Sequence, residues 1–206
     1  MGEITDRFPL FPLPLVLLPS EVVPLHIFEE RYKLMIGECL EGGTEFGVVW
    51  LSDDGLREVG CTAEITQLLD RLDDGRLNVL VRGSRPFGLV RRIDDMPYPA
   101  GDVVMLEDEG TTDGALAASA RESYGDLVEQ VTDERPAPDD IADLDAYGMA
   151  ATIEFGAEEK QELLELRSER ARLDRLVDLL AQAAGALARE REVRERASGN
   201  GKVTRD

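Results

Sequence analysis

Phe8-Pro9-Leu10-Phe11-Pro12-Leu13-Pro14-Leu15-Val16-Leu17-Leu18-Pro19 is the most apolar run of the chain, and proline interrupts it at nearly every second or third step. Each proline fixes φ and removes a backbone donor, so the run cannot be a helix, nor a central strand over its whole length. It predicts an edge strand followed by a rigid loop that continues to Leu25. Phe28, Tyr32, Met35, Ile36 and Cys39 come next, at the spacing of one helical face, with Glu29 and Glu30 placed for a first turn and Gly42-Gly43 for the end.

From Glu45 to Leu106 the period shortens to that of strands. Phe46–Leu51 is nearly continuous in apolar residues and stops at Ser52-Asp53-Asp54-Gly55, a turn signal that lacks the alternating acids and distal Glu of a calcium loop. Leu69–Leu72 and Leu77–Val81 flank Asp73-Asp74-Gly75, the pattern of a hairpin, with Leu77, Val79 and Val81 facing inward. Further strands are expected at Phe87–Ile93 and Val103–Leu106, after the Pro97-Tyr98-Pro99 loop. Short strands joined by turns predict a small, closed or nearly closed antiparallel barrel.

Beyond Gly110 the period becomes helical. Leu116, Ala120, Tyr124, Leu127, Val128 and Val131 form one stripe, with Thr111-Thr112-Asp113 as candidate caps and Pro136 and Pro138 as its end. A second helix is expected from Asp139 or Asp140, carrying Ile141, Leu144 and Phe155 inward, and a final one from near Ala157 toward Arg194. In the last, Leu166, Leu173, Leu176, Leu180, Ala183 and Leu187 fall at heptad a and d positions, which suits either a neighbouring helix of the same chain or a second copy in a dimer. The predicted fold class is therefore α+β, with a β-rich subdomain over 1–109, a helical subdomain over 110–196 and a flexible tail over 197–206.

Charge narrows the functions. With 43 acidic against 23 basic groups the formal net charge is -20, a potential that repels phosphate backbones and anionic lipid. Neither nucleic acid nor a membrane is an expected partner. The acidic start of the chain does not resemble a signal peptide and no run of about 20 apolar residues exists, so the expected location is the cytoplasm. Cys39 and Cys61 match neither a metal-ligand spacing nor a disulfide framework, and no cofactor is expected.

Catalytic pairings are poorly supported. A Ser-Lys dyad could be proposed from Ser119 and Lys160, but Ser119 lies in an Ala-rich helical stretch and glutamates around Lys160 favour its charged form. His26, the sole histidine, is expected to orient the loop-to-helix junction by hydrogen bonding. Glu64 and the other carboxylates define no acid–base pair. Aromatic residues beside a proline-stiffened strand instead suit peptide capture. The groove is expected between the Phe8–Leu17 edge and the first helix, from Phe11, Leu13, Leu15, Phe28 and Trp50, with Arg31, Tyr32, Arg82 and Arg85 as polar contacts.

Several ordered motifs carry a family likeness. Phe8–Leu13, Val16–Pro19 and Pro24–Tyr32, followed by Phe46–Val49, Val59–Ile65, Asp74–Val79 and Gly83–Phe87, closely resemble the N-terminal substrate-binding domain of Lon proteases, and Glu158–Leu164 continues the likeness more loosely. The resemblance implies a PUA-like pseudo-barrel followed by a helical bundle. It also implies a non-catalytic, proteolysis-related module that binds protein or peptide segments, unfolded ones included; the acidic field favours basic segments, and the heptad pattern of the last helix leaves a monomer or weak dimer as the expected state. The sequence contains no G-x-x-x-x-G-K-[ST] phosphate loop, so a stand-alone domain without the ATPase or peptidase parts is expected. A structural or regulatory protein docking on one specific partner, dimeric through its last helix, is the alternative. An RNA binder or a hydrolase is disfavoured by charge and by the absence of a convergent polar motif.

Overall fold

A computed structural model describes residues 3–111 and 114–199. Its strands are β1 (Ile4–Leu13), β2 (Val22–Ile27), β3 (Phe46–Ser52), β4 (Gly55–Leu56), β5 (Val59–Arg71), β6 (Leu77–Ile93) and β7 (Ala100–Met105); helix α1 (Glu30–Gly42) lies between β2 and β3. The remaining helices follow β7: α2 (Gly114–Thr132), α3 (Pro138–Ile141), α4 (Ala146–Ala150), α5 (Ala157–Glu165) and α6 (Glu169–Gly199). The expected order, a β-rich first half and a helical second half ending in a long helix, is what the structure shows.

The strands run in the order β1-β7-β6-β5-β3-β4, and β1 also pairs with β3, closing the sheet into a barrel. Here the proline-rich strand departs from expectation, because it is not an edge. Ile4–Pro9 pairs antiparallel with β7, while Leu10–Leu13 pairs parallel with Gly47–Trp50. The switch follows a register shift between Thr5 and Phe8, where Arg7 takes a left-handed φ of 56°. Each half has one ladder only, so the missing donors of Pro9 and Pro12 can fall on the unpaired side. The barrel therefore carries one parallel seam and is not wholly antiparallel.

The two strands expected at Leu77–Val81 and Phe87–Ile93 are one long strand, β6. Glycine makes its middle possible. A Cβ on Gly83 would lie 2.1 Å from the backbone oxygen of Leu18, the point at which the chain before β2 crosses β6. There Ser20 N–H donates to Gly83 O and Gly83 N–H to Glu21 O. The hairpin between β5 and β6 turns at Gly75, whose φ is 81°, and Leu77, Val79 and Val81 are buried on one face.

Inside the barrel sits a small cluster of Leu10, Val49, Phe87 and Val103. The Phe87 ring fills space left by absent side chains, since Cβ atoms on Gly47 and Gly60 would approach its Cζ to 2.6 and 2.7 Å. A larger core runs from the outer face of the barrel through α1 into the helices, joining Val79, Val81 and Cys61 to Leu163, Leu164 and Leu173. One continuous apolar core thus underlies both halves.

Helix α1 buries Tyr32, Met35, Ile36 and Cys39, and ends at Gly43 in the left-handed region, with its N–H on Cys39 O. Phe28 precedes the helix and is 59% exposed, so it does not belong to the buried stripe. In α2 the stripe holds for Ala120, Tyr124 and Leu127, while Val131 is exposed near the helix end. Of its candidate caps, Thr112 and Asp113 lie outside the described residues. The second helix divides into α3 and α4, the latter begun by Asp145, whose carboxylate accepts from Gly148 N–H at 2.7 Å.

The expected final helix is also two. Leu166 is extended at ψ 133°, and Ser168 begins α6 afresh, its hydroxyl accepting from Ala171 N–H at 3.3 Å. Arg172, nearly fully buried, holds this break together: it bonds Leu166 O at 3.0 Å and Glu169 at 3.0 Å, pairs with Asp108, and lies 4.4 Å over the Tyr147 ring. Leu173, Leu176 and Leu180 are buried against the chain's own helices, and Leu166 is outside α6. Helix α6 extends to Gly199, past the Ala197 where a tail was expected; residues 200–206 lie outside the described residues.

Candidate functional site

Two depressions join where β1 ends and α1 begins. The larger, about 720 Å³, lies at the barrel mouth and is walled by Leu51 and Leu56 of the β3–β4 hairpin, by Arg92–Asp94, and by Met96–Pro99. The smaller, about 240 Å³, lies between Phe11–Pro14 and the Ile27–Glu29 approach to α1. They share Pro12, Glu29 and Tyr32, and so form one groove.

Rigidity is built in locally. Phe11 and Tyr32, both buried, pack with ring centroids 4.2 Å apart and planes tilted by 34°, and the Arg31 guanidinium lies 4.6 Å over the Tyr32 ring while its charge pairs with Glu29 at 2.8 Å. On the opposite wall Tyr98 O–H donates to Glu38 at 2.5 Å, which ties the proline-flanked loop to α1. Burial, and then this bond to a carboxylate, push the Tyr98 hydroxyl up to about 12, so it remains a neutral donor throughout the physiological range. Tyr98→Phe is expected to lower stability by about 1 kcal/mol, because exposed Glu38 regains water; urea denaturation measures it.

The sequence-predicted site residues divide. Phe11, Leu13, Phe28, Arg31 and Tyr32 line the groove. Leu15 is half-buried but lines neither depression. Trp50 is buried, with the Arg57 guanidinium 5.1 Å above its ring, and belongs to the core. Arg82 and Arg85 lie elsewhere on β6; Arg85 is 3.5 Å from Glu45. Neither lines the groove, to which β6 contributes only its far end, Arg92 and Ile93.

His26 stands on β2, opposite Asn78 in the ladder, with Nδ1 2.6 Å from Asn78 Oδ1 and its ring stacked 6.0 Å from Phe28. Sequence reasoning missed Leu51, Leu56, Arg92–Asp94 and Met96–Pro99. Only Pro97-Tyr98-Pro99 carried a signal, an aromatic held between prolines. The Ser119 and Lys160 side chains do not meet: Ser119 is exposed on α2, whereas Lys160 is paired with Glu21.

The groove has no convergent set of titratable groups. Its charges, Glu29, Arg31, Arg92 and Asp94, balance, and apolar side chains make up most of its wall. Such a surface suits binding an apolar segment. The family model described as the ATP-dependent protease La (LON) substrate-binding domain matches residues 7–182. The chain belongs to that family.

Solved Lon N-terminal domains share the fold. A Lon N-terminal domain protein from Xanthomonas campestris aligns with a TM-score of 0.63 at 25% identity, covering 84% of this chain and 98% of that one. The N-terminal domain of Mycobacterium avium complex Lon protease aligns with a TM-score of 0.70 at 19% identity, over 85% and 98% of the two chains. Lon protease 1 of Hydrogenovibrio crunogenus is 25% identical over 217 residues, 93% of this chain but 26% of that protein. Lon protease of Anaeromyxobacter dehalogenans is 26% identical over 86% of this chain and 23% of its own length. The chain thus spans about a quarter of the length of these curated relatives. No helix among the described residues is long and apolar enough to cross a membrane.

Proposed function

We propose that this Lon-type substrate-binding domain holds flexible protein segments in the groove between β1, α1 and the barrel mouth, without chemical turnover. The observation that carries the reading is the exposure of Phe28 (59%) and Leu51 (50%), one in each of the two joined depressions. Large apolar side chains left open at the ends of one groove favour an apolar occupant, and the net charge of -20 speeds encounter with a basic one.

Titration of the protein with fluorescently labelled, reduced and alkylated lysozyme, an unfolded basic chain, tests the reading. Saturable binding is expected, weakened about tenfold by Phe28→Asp and by Leu51→Asp. Absence of binding at high micromolar concentration, or binding indifferent to both substitutions, overturns it. Dimerisation through the last helix is less favoured, because Leu173, Leu176 and Leu180 are already covered within the chain.

A further inference from the structure

The barrel wall has a gap beside the groove. β5 pairs with β6 only as far as Val59 opposite Gly88, and Leu89 N–H still reaches Glu58 O at 2.7 Å. Beyond that point β6 continues to Ile93 with β7 alone beside it. On the vacated side the chain has turned away into β4, which pairs with β3 through Leu51–Leu56 and Ser52–Gly55. The larger depression lies between these diverging parts, since Gly55 and Leu56 line it on one side and Arg92–Asp94 on the other. Among the described residues no other backbone is bonded to Val90–Asp94 on that side.

We propose that the occupant of the groove adds a strand to the open edge of β6 over residues 90–93, as an extended segment of another protein alternating apolar and basic residues. Strand addition supplies main-chain hydrogen bonds, and alternate side chains of the added strand then point to opposite faces, one toward the apolar mouth and one toward solvent. The mouth offers Leu10, Leu56 and Ile93 to the first set. For the second set the rim is acidic: Asp53-Asp54 leads directly into the wall residue Gly55, Glu58 carries the carbonyl bonded to Leu89, and Asp94 lines the mouth; among the described residues none of these four carboxylates makes an ion pair, and Arg92 is the one unpaired base of the lining. This inference rests on the groove being the binding surface and specifies how it is used.

The test uses a capped peptide of about six residues alternating Val and Lys, long enough to make one strand, with two N-methylated relatives. One carries the methyl groups on its Val nitrogens, the other on its Lys nitrogens. Only one alternating set of N–H groups faces β6 in an added strand, so one relative is expected to lose at least about fivefold in affinity per blocked bond and the other to bind like the parent. Those amides of residues 90–93 that face the open edge become protected from exchange, and Asp94→Lys weakens the parent peptide. Equal binding by both methylated relatives, or equal loss by both, overturns strand addition. If the parent peptide fails while unfolded lysozyme still binds through Phe28 and Leu51, strand addition falls and the groove stands. If neither binds, both fall.

Discussion

Phe87→Ala is expected to destabilise the protein by about 3–5 kcal/mol, a fall in Tm of roughly 10 °C for a domain of this size. The ring lies at the centre of the barrel, and the wall around it is Gly47 and Gly60, which have no side chains to swing into the void. A companion substitution shows whether complementarity or mere apolar content matters. Gly47→Ala alone sets a Cβ 2.6 Å from the Phe87 ring, and is destabilising; in the Phe87→Ala background the same methyl meets only the end of the Leu10 side chain, at 3.0 Å, which can turn into the vacated space, and it restores part of the loss. Gly60→Ala shows no such reversal, because its Cβ would also lie 2.5 Å from Val48 O, a backbone atom that removal of the ring does not move. Thermal unfolding of the singles and doubles decides the matter, and additive losses at Gly47 and Phe87 contradict it.

Lys160→Met is expected to cost about 3 kcal/mol. Lys160 and Glu21 are 14% and 10% exposed and form an ion pair between α5 and the loop before β2. Without the ammonium, the Glu21 carboxylate keeps only the Leu18 N–H, at 2.9 Å, as a buried partner. The loss is therefore mostly that of an uncompensated buried charge, not of a favourable contact. Glu21→Gln combined with Lys160→Met removes the charge while an amide oxygen still accepts from Leu18, and the double variant is expected within about 1 kcal/mol of the parent. Urea denaturation followed by far-UV circular dichroism measures both. A double variant as unstable as Lys160→Met alone would show that the pair stabilises outright.

These residues also show what sequence reading can and cannot reach. Periodicity located the strands and helices because burial on one face imposes period 2 or 3.6, and Leu77, Val79, Val81, Met35 and Ile36 are buried as that rule requires. It joined α5 to α6 because a capped break of three residues, Leu166–Ser168, hardly disturbs a heptad count, although Ser168 was a visible N-cap signal. Phe8–Leu13 was read as an edge since proline is barred from central strands. Exchange of partners along one strand escapes that rule and is set by residues far away. The candidate groove is legible where it is local, as at Phe28, Arg31 and Tyr32, and hidden where β4, β6 and the Tyr98 loop converge through barrel closure. Arg82 and Arg85 lie outside the groove for the same reason: sequence proximity to a hairpin says nothing about which end of a long strand meets the mouth.

The divided pairing of β1 also orders events in time. Ile4–Leu13 leaves the ribosome well before the strand it needs, because its opening residues pair with Ala100–Val104. A nascent chain shorter than that has a greasy strand, with Phe8, Leu10 and Phe11, and nothing on which to lay its first half. Until β7 has emerged, this stretch depends on chaperones or on residual collapse for shelter. The helices made afterwards arrive on a barrel that has only just shut, so a pause in translation before residue 100 exposes the molecule to aggregation far more than the same pause after Met105.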